Sequence, residues 1–422
     1  MANANELRTI DDIAVWLSEG MRRPSSKFLR DMLKGIHASK SIKLANIARA
    51  LGEGNNLHST CNRLGRNLAD PDLERIIADR LLEQGANMVK RHTRLIVNVY
   101  TVAKPNARKM QYLQDGDENT TDEAQFLVCE ILASNTGSGK YSPLLATLWS
   151  RYAPGYVSDA QEILDALGRV LKATKGRGVV CLEYRYIPPA IVDDLLDNLL
   201  ASQDTQFICT EGSVAPVLVH RQQNKTTTEL AEVCDLPYWG RLFKVLPVNA
   251  EKSDAYLIYR QYLSSTPNEL SDLAIPMEFG SLPVRCQESG RPVSIIIMNT
   301  YHPLLGERST RLVTSYEKLN SRKKILAPIH AFLSLGDVVA AHGSIRDSYN
   351  PSDLQVAKYD RMQLLMTLLL AVVFFEARTY KLKLPLARFQ PHEGRYRRDY
   401  LLPEDVERLK SEAIPVDDAG HG

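Results

Sequence analysis

The sequence predicts an α/β protein with a helical N-terminal domain, a mixed core interrupted by a mainly β insertion, and C-terminal helices. Three patterns indicate this order. Apolar residues recur at helical spacing up to residue 90, and β-rich runs then alternate with amphipathic helices from Leu95 to residue 211. Short β segments follow as far as residue 300, before apolar helices return. Strands that alternate with helices are typical of an α/β core.

Composition indicates a folded protein of two or three domains, and we expect no membrane-spanning helix and no membrane partner. The chain has 422 residues, of which 44% are hydrophobic and 24% charged, and this excludes disorder as its main state. Its longest apolar stretch, Leu364–Phe375, is shorter than the roughly 20 residues of a membrane-spanning helix. The N-terminus lacks a secretory signal pattern, and the six cysteines form no CxxC or Cys/His cluster. We therefore expect buried, reduced thiols and a cytoplasmic location.

The N-terminal domain, residues 1–90, is predicted to be helical and basic, with Gly52 ending one of its helices. The net charge of the chain is only +2, but Met21 to Asp70 holds ten lysines and arginines and three acids. Such an excess favours an anionic partner and is typical of a DNA-binding domain, and the alternative is a helical bundle with solvated basic faces. The residues expected to contact phosphates are Arg22, Arg23, Lys27, Arg30, Lys34, Lys40, Lys43, Arg63 and Arg66, followed by Lys90, Arg91 and Arg94.

Residues 91–211 are predicted to form the first part of the α/β core. Thr136-Gly-Ser-Gly-Lys140 is similar to a phosphate-binding loop, but Ser134 replaces the first glycine of that motif and Tyr141 its final Ser or Thr. The segment is therefore interpreted as a hairpin turn. The predicted strands are 95–102, 124–133, 141–150, 179–184 and 206–210, and the predicted helices are 158–174 and 191–200.

Residues 212–300 are predicted to be a mainly β insertion, and residues 301–385 to complete the core with helices. Helix is expected from Ser309 onwards, including one long helix from Val356 to Lys381. Residues 386–422 are expected to be a basic, flexible tail. The tail supplies three more expected phosphate contacts, Arg395, Arg397 and Arg398.

The order of these segments, with three short motifs, resembles a known family. The motifs are Lys104-Pro-Asn-Ala-Arg-Lys-Met, Asp115-Gly-Asp and Val313-Thr-Ser-Tyr316, the last of which is expected to open a helix. Over most of residues 20–380 the chain is similar to bacterial insertion-sequence transposases of the IS-four type, in the DDE superfamily. The resemblance implies an RNase H-like core that is completed after the β insertion. It also implies double-stranded DNA as the partner, and it allows a homodimer.

The chemistry of this family needs three carboxylates that together hold two divalent cations. Matching its motifs residue by residue places Asn98 and Glu183 at the first two positions and Lys323 at the third. Tyr316 of the late motif is retained, and His330 stands where the motif has Lys. Because Glu183 is the single carboxylate left, we expect the site to hold no Mg²⁺ or Mn²⁺ and Lys323 to pair with Glu183.

These observations predict a DNA-binding protein of transposase descent that is catalytically inactive and regulatory. We expect no cofactor, and a location in a bacterial cytoplasm, associated with the nucleoid. The cations Arg322, Lys323 and Lys324 would lie near the DNA groove. Two alternatives stay open. One is an active transposase that cleaves and transfers DNA strands with Mg²⁺ or Mn²⁺, and the other is a scaffold that binds proteins.

Overall fold

A computed structural model describes residues 7–54, 56–104, 107, 109–113, 125–135, 140–245, 275–302, 306–379 and 386–391. These residues form a mixed α/β fold around one large, mostly antiparallel sheet. The Asp115-Gly-Asp motif and the centre of the predicted hairpin turn, residues 136–139, lie outside the described residues.

Helices fill the N-terminal region, as the sequence predicts. Thr9 caps the first one: its hydroxyl accepts from the Asp12 N–H at 3.2 Å, and the Asp12 carboxylate accepts from the Thr9 N–H at 2.8 Å. Gly52 ends the third in the left-handed region, at φ +60°, which confirms it as a helix terminator. The helices are α1 Ile10–Leu17, α2 Arg23–Ser39, α3 Leu44–Leu51, α4 Leu57–Asn67 and α5 Leu73–Ala86.

The segment 91–211 forms strands and helices whose ends agree with the prediction to within two residues. They are β1 Arg94–Ala103, β2 Gln125–Ser134, β3 Tyr141–Trp149, α6 Asp159–Thr174, β4 Val179–Leu182, α7 Pro189–Ala201 and β5 Gln206–Thr210. In the sheet they lie in the order β3-β2-β1-β4-β5. β2 is antiparallel to β1 and β3, whereas β1, β4 and β5 are parallel to one another.

Residues after 212 extend this same sheet beyond β5. The elements are β6 Val217–His220, β7 Gln223–Thr226, α8 Thr227–Val233, β8 Tyr238–Val245, β9 Ile275–Cys286, β10 Pro292–His302, β11 Gly306–Thr314 and β12 Leu386–Pro391. β11 pairs antiparallel with β5, and the order continues outward as β10, β9, β8 and β12. The described part of 212–300 is therefore mainly β and joins the core through β11.

Two predictions for residues after 300 are wrong. Ser309–Thr314 belongs to strand β11, so Val313 does not open a helix, and the next helix begins only at Arg322. The reason is tertiary, because β10 and β5 offer this β-branched segment backbone partners on both sides. Leu386–Pro391, expected to be flexible, is strand β12 and pairs antiparallel with β8.

The C-terminal helices are α9 Arg322–Leu333, α10 Leu335–Asp347 and α11 Tyr359–Thr379. α11 is buried along most of its length, as expected for a core helix. Helices α1–α5 and α9–α11 supply most of the apolar core on one face of the sheet, and α6–α8 cover the other face. By length and composition the described stretch Arg322–Asp353 could cross a membrane, but 50% of its apolar window is buried inside the fold.

Candidate functional site

Asn98 lies in the middle of β1, and Glu183 directly follows β4, the strand parallel to β1. Ile96 of β1 is opposite Cys181 of β4 in the last pair of their register, and each of the two positions lies two residues beyond that pair. Both side chains are buried, with relative exposures of 6% and 1%. The first two positions of the expected acid triad therefore lie on adjacent segments of the sheet.

Glu183 pairs with Arg185 and not with Lys323. The guanidinium of Arg185 contacts Oε1 of Glu183, and Oε2 has no hydrogen-bond partner among the described residues. Burial raises the pKa of Glu183, although the charge of Arg185 acts in the opposite direction. Lys323 is exposed in the first turn of α9, so the predicted ion pair between Lys323 and Glu183 is wrong.

The path of α9 explains why Lys323 does not reach Glu183. The last turn of α9, and not the first, meets β1, because Arg94 donates to the carbonyl of Ala331 at 3.2 Å. The approach to α9 lies over β9, where the Ser281 hydroxyl donates to the carbonyl of Leu319 at 2.8 Å. Arg94 itself is only 2% exposed. Its guanidinium is therefore a core group and not the phosphate contact that the sequence suggested.

A buried acid that sequence reasoning missed lies directly beside Asn98. Glu130 of β2 is opposite Asn98 in the antiparallel register and is 3% exposed. Its Oε2 lies 2.8 Å from Nη1 of Arg346 and 3.0 Å from Nε2 of His342, both on α10. Asn98 donates to the same oxygen at 3.4 Å, and the Tyr100 hydroxyl donates to Oε1 at 3.4 Å. We call these five residues the Glu130 cluster.

The Glu130 cluster keeps its carboxylate ionised. Burial favours the neutral acid, but the interactions with His342 and Arg346 lower the pKa of Glu130 from 4.5 to about 2. Burial opposes the charge of Arg346 as well, yet Glu130 raises the pKa of that guanidinium above its usual value. Arg346 also pairs with Asp347 at 2.9 Å and lies 3.7 Å from the centre of the Tyr100 ring. A buried cation therefore compensates the carboxylate next to Asn98.

One sequence signal could have revealed Glu130. It is the single charged residue in the apolar run 126–133, and a buried charge is costly unless it is paired. The run cannot name the partner, because Arg346 lies 216 residues further along the chain.

The described residues offer little to a metal ion. Within the described ranges, no three His, Cys, Asp or Glu side chains are grouped so that they could hold one.

Lys104, from the first resemblance motif, is buried, and its ammonium donates to the carbonyl of Leu354 at 2.5 Å and to that of Ser352. Burial lowers the pKa of Lys104 to about 8. The motif lysine thus ties β1 to the segment before α11.

Many of the N-terminal cations expected to contact phosphates are paired within the protein. Asp31 and Glu53 both lie between Lys27 and Arg63, with N···O distances of 2.8 to 3.3 Å. These two acids neutralise two of the predicted contacts. Three further pairs are Lys34–Asp11, Arg30–Asp11 and Lys40–Glu376.

Four other expected phosphate contacts lie at helix ends. Arg22 and Arg23 are exposed where α2 begins, the half-buried Lys43 immediately precedes α3, and Arg66 is exposed in the last turn of α4. None of the four forms an ion pair with another described residue. Because backbone N–H groups are unpaired at helix starts, the positions of Arg22, Arg23 and Lys43 favour anions for a second reason.

The remaining predicted site residues are spread over the late part of the chain. The three cations at 322–324 are exposed at the start of α9, where Lys324 donates to Asn320 at 3.0 Å. Tyr316 is half-buried, and burial raises the pKa of its hydroxyl. Burial lowers the pKa of His330, whose Nε2 has no partner within the described part of the chain. Three predicted contacts lie outside the described residues: Arg395, Arg397 and Arg398.

Comparisons with known proteins establish no family for this chain. No protein-family model matches it, and no curated protein matches it. Among solved structures it is similar to piggyBac transposase, in a cryo-EM structure of a synaptic complex with hairpin DNA. The alignment covers 98% of this chain and 84% of that chain, with 10% sequence identity and a TM-score of 0.31. At this TM-score the likeness carries no argument about function.

Proposed function

We propose that this protein binds duplex DNA, descends from a DDE transposase, and neither cuts nor joins DNA strands. The observation that carries the proposal is the set of residues at the expected acid positions. An amide, Asn98, stands at the first position, and the carboxylates of Glu130, opposite it, and of Glu183, at the second position, each have an arginine partner. Such a protein would act by occupying DNA, for example at a promoter or at the ends of a mobile element.

The strand order supports an RNase H-like core. Strands β3-β2-β1 form an antiparallel unit, and β4 and β5 are added parallel to β1 through the crossover helices α6 and α7. This is the arrangement that the family resemblance implies. The strands from β6 to β11 extend the sheet before the chain returns in α9.

Charge compensation argues against two-metal catalysis. Two divalent cations bring four positive charges, which a DDE site balances with three carboxylates and the DNA phosphate. Here Asn98 contributes no charge, and Arg185 and Arg346 already cancel the charges of Glu183 and Glu130. Neither the attacking oxygen nor the leaving oxygen would then be stabilised.

The DNA-binding part of the proposal is supported by three exposed cations of the N-terminal helices, Arg22, Arg23 and Arg66, and by the half-buried Lys43. Neutralising phosphates with lysine and arginine releases counterions, so affinity falls as salt rises. The exposed cations at 322–324 offer a second basic surface.

The test combines a binding assay with a cleavage assay on the full-length protein. Fluorescence anisotropy with a labelled 30-base-pair duplex should show binding that weakens from low to high salt. Supercoiled plasmid incubated with protein and Mg²⁺ or Mn²⁺ should stay unnicked. Nicking that requires metal and disappears in Glu183→Ala would establish the active transposase instead. Absence of salt-dependent binding to DNA would favour the protein scaffold.

One observation favours the active alternative as the second candidate. Glu130 lies opposite Asn98 on the neighbouring strand, and Glu183 directly follows β4, the strand on the other side of β1, so two carboxylates flank the first acid position on adjacent segments of the sheet. The Arg185 side chain is 51% exposed, and its departure would free the Glu183 carboxylate. Isothermal calorimetry with Mn²⁺ separates the two candidates: we expect no binding to wild type, whereas the active enzyme would bind Mn²⁺ and lose that binding in Glu183→Ala.

A further inference from the structure

The helices α3 and α4 form a compact pair with a short connection. Gly52 ends α3 in the left-handed region, and the Asn56 side chain starts α4 by accepting from the His58 N–H at 2.9 Å. α3 packs closely on α2, since a Cβ on Gly35 would lie 2.5 Å from Cγ2 of Ile47. A longer helix, α2, followed by two short helices with such a turn between them has the layout of a helix-turn-helix unit.

We propose that α4 is the base-reading helix of a helix-turn-helix, and that Ser59, Asn62 and Arg66 contact base edges in the major groove. This inference rests on the proposed binding of duplex DNA. It adds the element that would give sequence specificity and the side chains that would read the bases.

The inner face of α4 is fixed by the rest of the domain. Leu64 is fully buried, and the Thr60 hydroxyl donates to Glu53 at 3.2 Å. Arg63 pairs with Glu53 and with Asp31 of α2, at 2.8 Å in each case. These contacts set the rotation of α4 about its own axis. They also explain why Arg63, which the sequence suggested as a phosphate contact, points inward.

The opposite face of α4 is exposed and polar. Ser59, Asn62 and Arg66 are exposed and lie three and four residues apart, so they form one stripe along the helix. His58 is exposed in the same first turn. No acidic residue occurs between residues 54 and 69, so nothing on this helix repels phosphates. The stripe is therefore accessible to a polyanion over the length of α4.

The chemistry of the stripe suits base recognition better than phosphate binding alone. An asparagine amide can donate to and accept from adenine at once, and an arginine can donate twice to guanine. The Arg66 Nε donates to the Asn62 carbonyl at 3.3 Å, which orients the guanidinium along the helix. Arg22 and Arg23 at the start of α2 and Lys43 before α3 would flank the stripe as phosphate contacts, which position a domain without reading sequence.

The experiment begins by selecting duplexes that bind wild type from a random library, which should yield a shared sequence. Fluorescence anisotropy then compares this duplex with a scrambled one for Asn62→Ala, Arg66→Ala and the control Arg23→Gln. Losing one bidentate base contact costs about tenfold to a hundredfold in affinity for the selected duplex. Asn62→Ala should leave the affinity for scrambled duplex and the salt slope unchanged. Arg23→Gln should weaken both duplexes alike and flatten the slope by about one.

The outcomes separate this inference from the proposed function. If wild type binds DNA but selects no shared sequence, or if both α4 variants bind the selected duplex as tightly as wild type, α4 does not read bases although the chain binds DNA. If wild type binds neither duplex at low salt, DNA binding itself is refuted and the inference is overturned with it. If single-stranded RNA competes for the protein as effectively as the selected duplex does, the inference is also overturned. Circular dichroism melting of each variant confirms that the exposed substitutions leave the fold intact.

Discussion

Replacing Glu130 by glutamine tests whether the Glu130 cluster holds a buried charge. Glu130→Gln keeps the shape of the side chain and removes its charge beside Arg346 and His342. The folded protein lowers the pKa of Glu130 from 4.5 to about 2. Each tenfold change in an acid dissociation constant corresponds to about 1.4 kcal/mol, so the ionised carboxylate contributes about 3 kcal/mol to the free energy of unfolding at neutral pH.

The sign of the pH dependence follows from the lowered pKa. A carboxyl with a depressed folded-state pKa stabilises the protein above the unfolded-state pKa, here about 4.5, and loses this contribution as the pH falls toward 2. About 2 kcal/mol of the contribution should be lost between pH 6 and pH 3. Glu130→Gln lacks this contribution, so its deficit in unfolding free energy relative to wild type should shrink by that amount over the same range.

The assay is urea unfolding followed by circular dichroism for wild type and Glu130→Gln at pH 7, 5 and 3. Other carboxylates are common to both proteins, so their titration cancels in the difference. Glu83→Gln, at an exposed position of α5, is the matched control and should differ from wild type by no more than about 0.5 kcal/mol at any pH. A deficit for Glu130→Gln that stays constant from pH 7 to pH 3 would refute the assignment of a buried, arginine-paired carboxylate.

Three further substitutions test separate parts of the structure by urea unfolding. Burial raises the pKa of Glu183, so its ionised form destabilises the folded protein. Glu183→Gln should therefore raise the free energy of unfolding above that of wild type, and by more at pH 7 than at pH 4. A loss of stability relative to wild type that is larger at pH 7 than at pH 4 would contradict this. Gly35→Ala should cost about 1 to 3 kcal/mol, since the new Cβ would overlap the Ile47 side chain, and a neutral result would show that α2 and α3 pack less closely. Arg94→Ala should cost more than about 1 kcal/mol, because it leaves the carbonyl of Ala331 and its other buried acceptors unpaired. It should leave DNA affinity unchanged, and a selective loss of affinity would restore Arg94 as a phosphate contact.

The parts of the fold that the sequence predicted are those with strong local patterns. The strands β1 to β5 are β-branched or apolar runs between polar turns, and α6 has apolar residues at helical spacing, so their ends were found within two residues. β11 was predicted to be helical because its short run carries no comparable pattern. The segment forms a strand because it pairs with β10 on one side and β5 on the other. β5 lies far from it in sequence, and β10 belongs to the predicted β insertion.

The site was harder to predict because its partners are distant along the chain. Sequence matching assigned Asn98 to β1 and Glu183 to the end of β4, which are neighbouring parallel strands in the sheet. It chose the wrong partner for Glu183, because the helix that carries Lys323 begins later than the pattern indicated. Pairing of Glu130 with Arg346 depends on the placement of α10 over the sheet, which no local pattern encodes.

Charge placement, and not charge count, should decide how the N-terminal helices bind DNA. Nine of their cations were expected to contact phosphates, but Lys27, Arg30, Lys34, Lys40 and Arg63 each pair with an acid of this chain. Four cations remain that form no ion pair with an acid of the described residues, Arg22, Arg23, Lys43 and Arg66. Each phosphate contact contributes about 0.9 to the slope of log affinity against log salt. Replacing the four together by glutamine should therefore flatten the slope by about 3.6, whereas replacing Lys27 and Lys34 should leave it nearly unchanged. Equal flattening by both sets, measured by anisotropy on one duplex, would show that the internal ion pairs open when DNA binds.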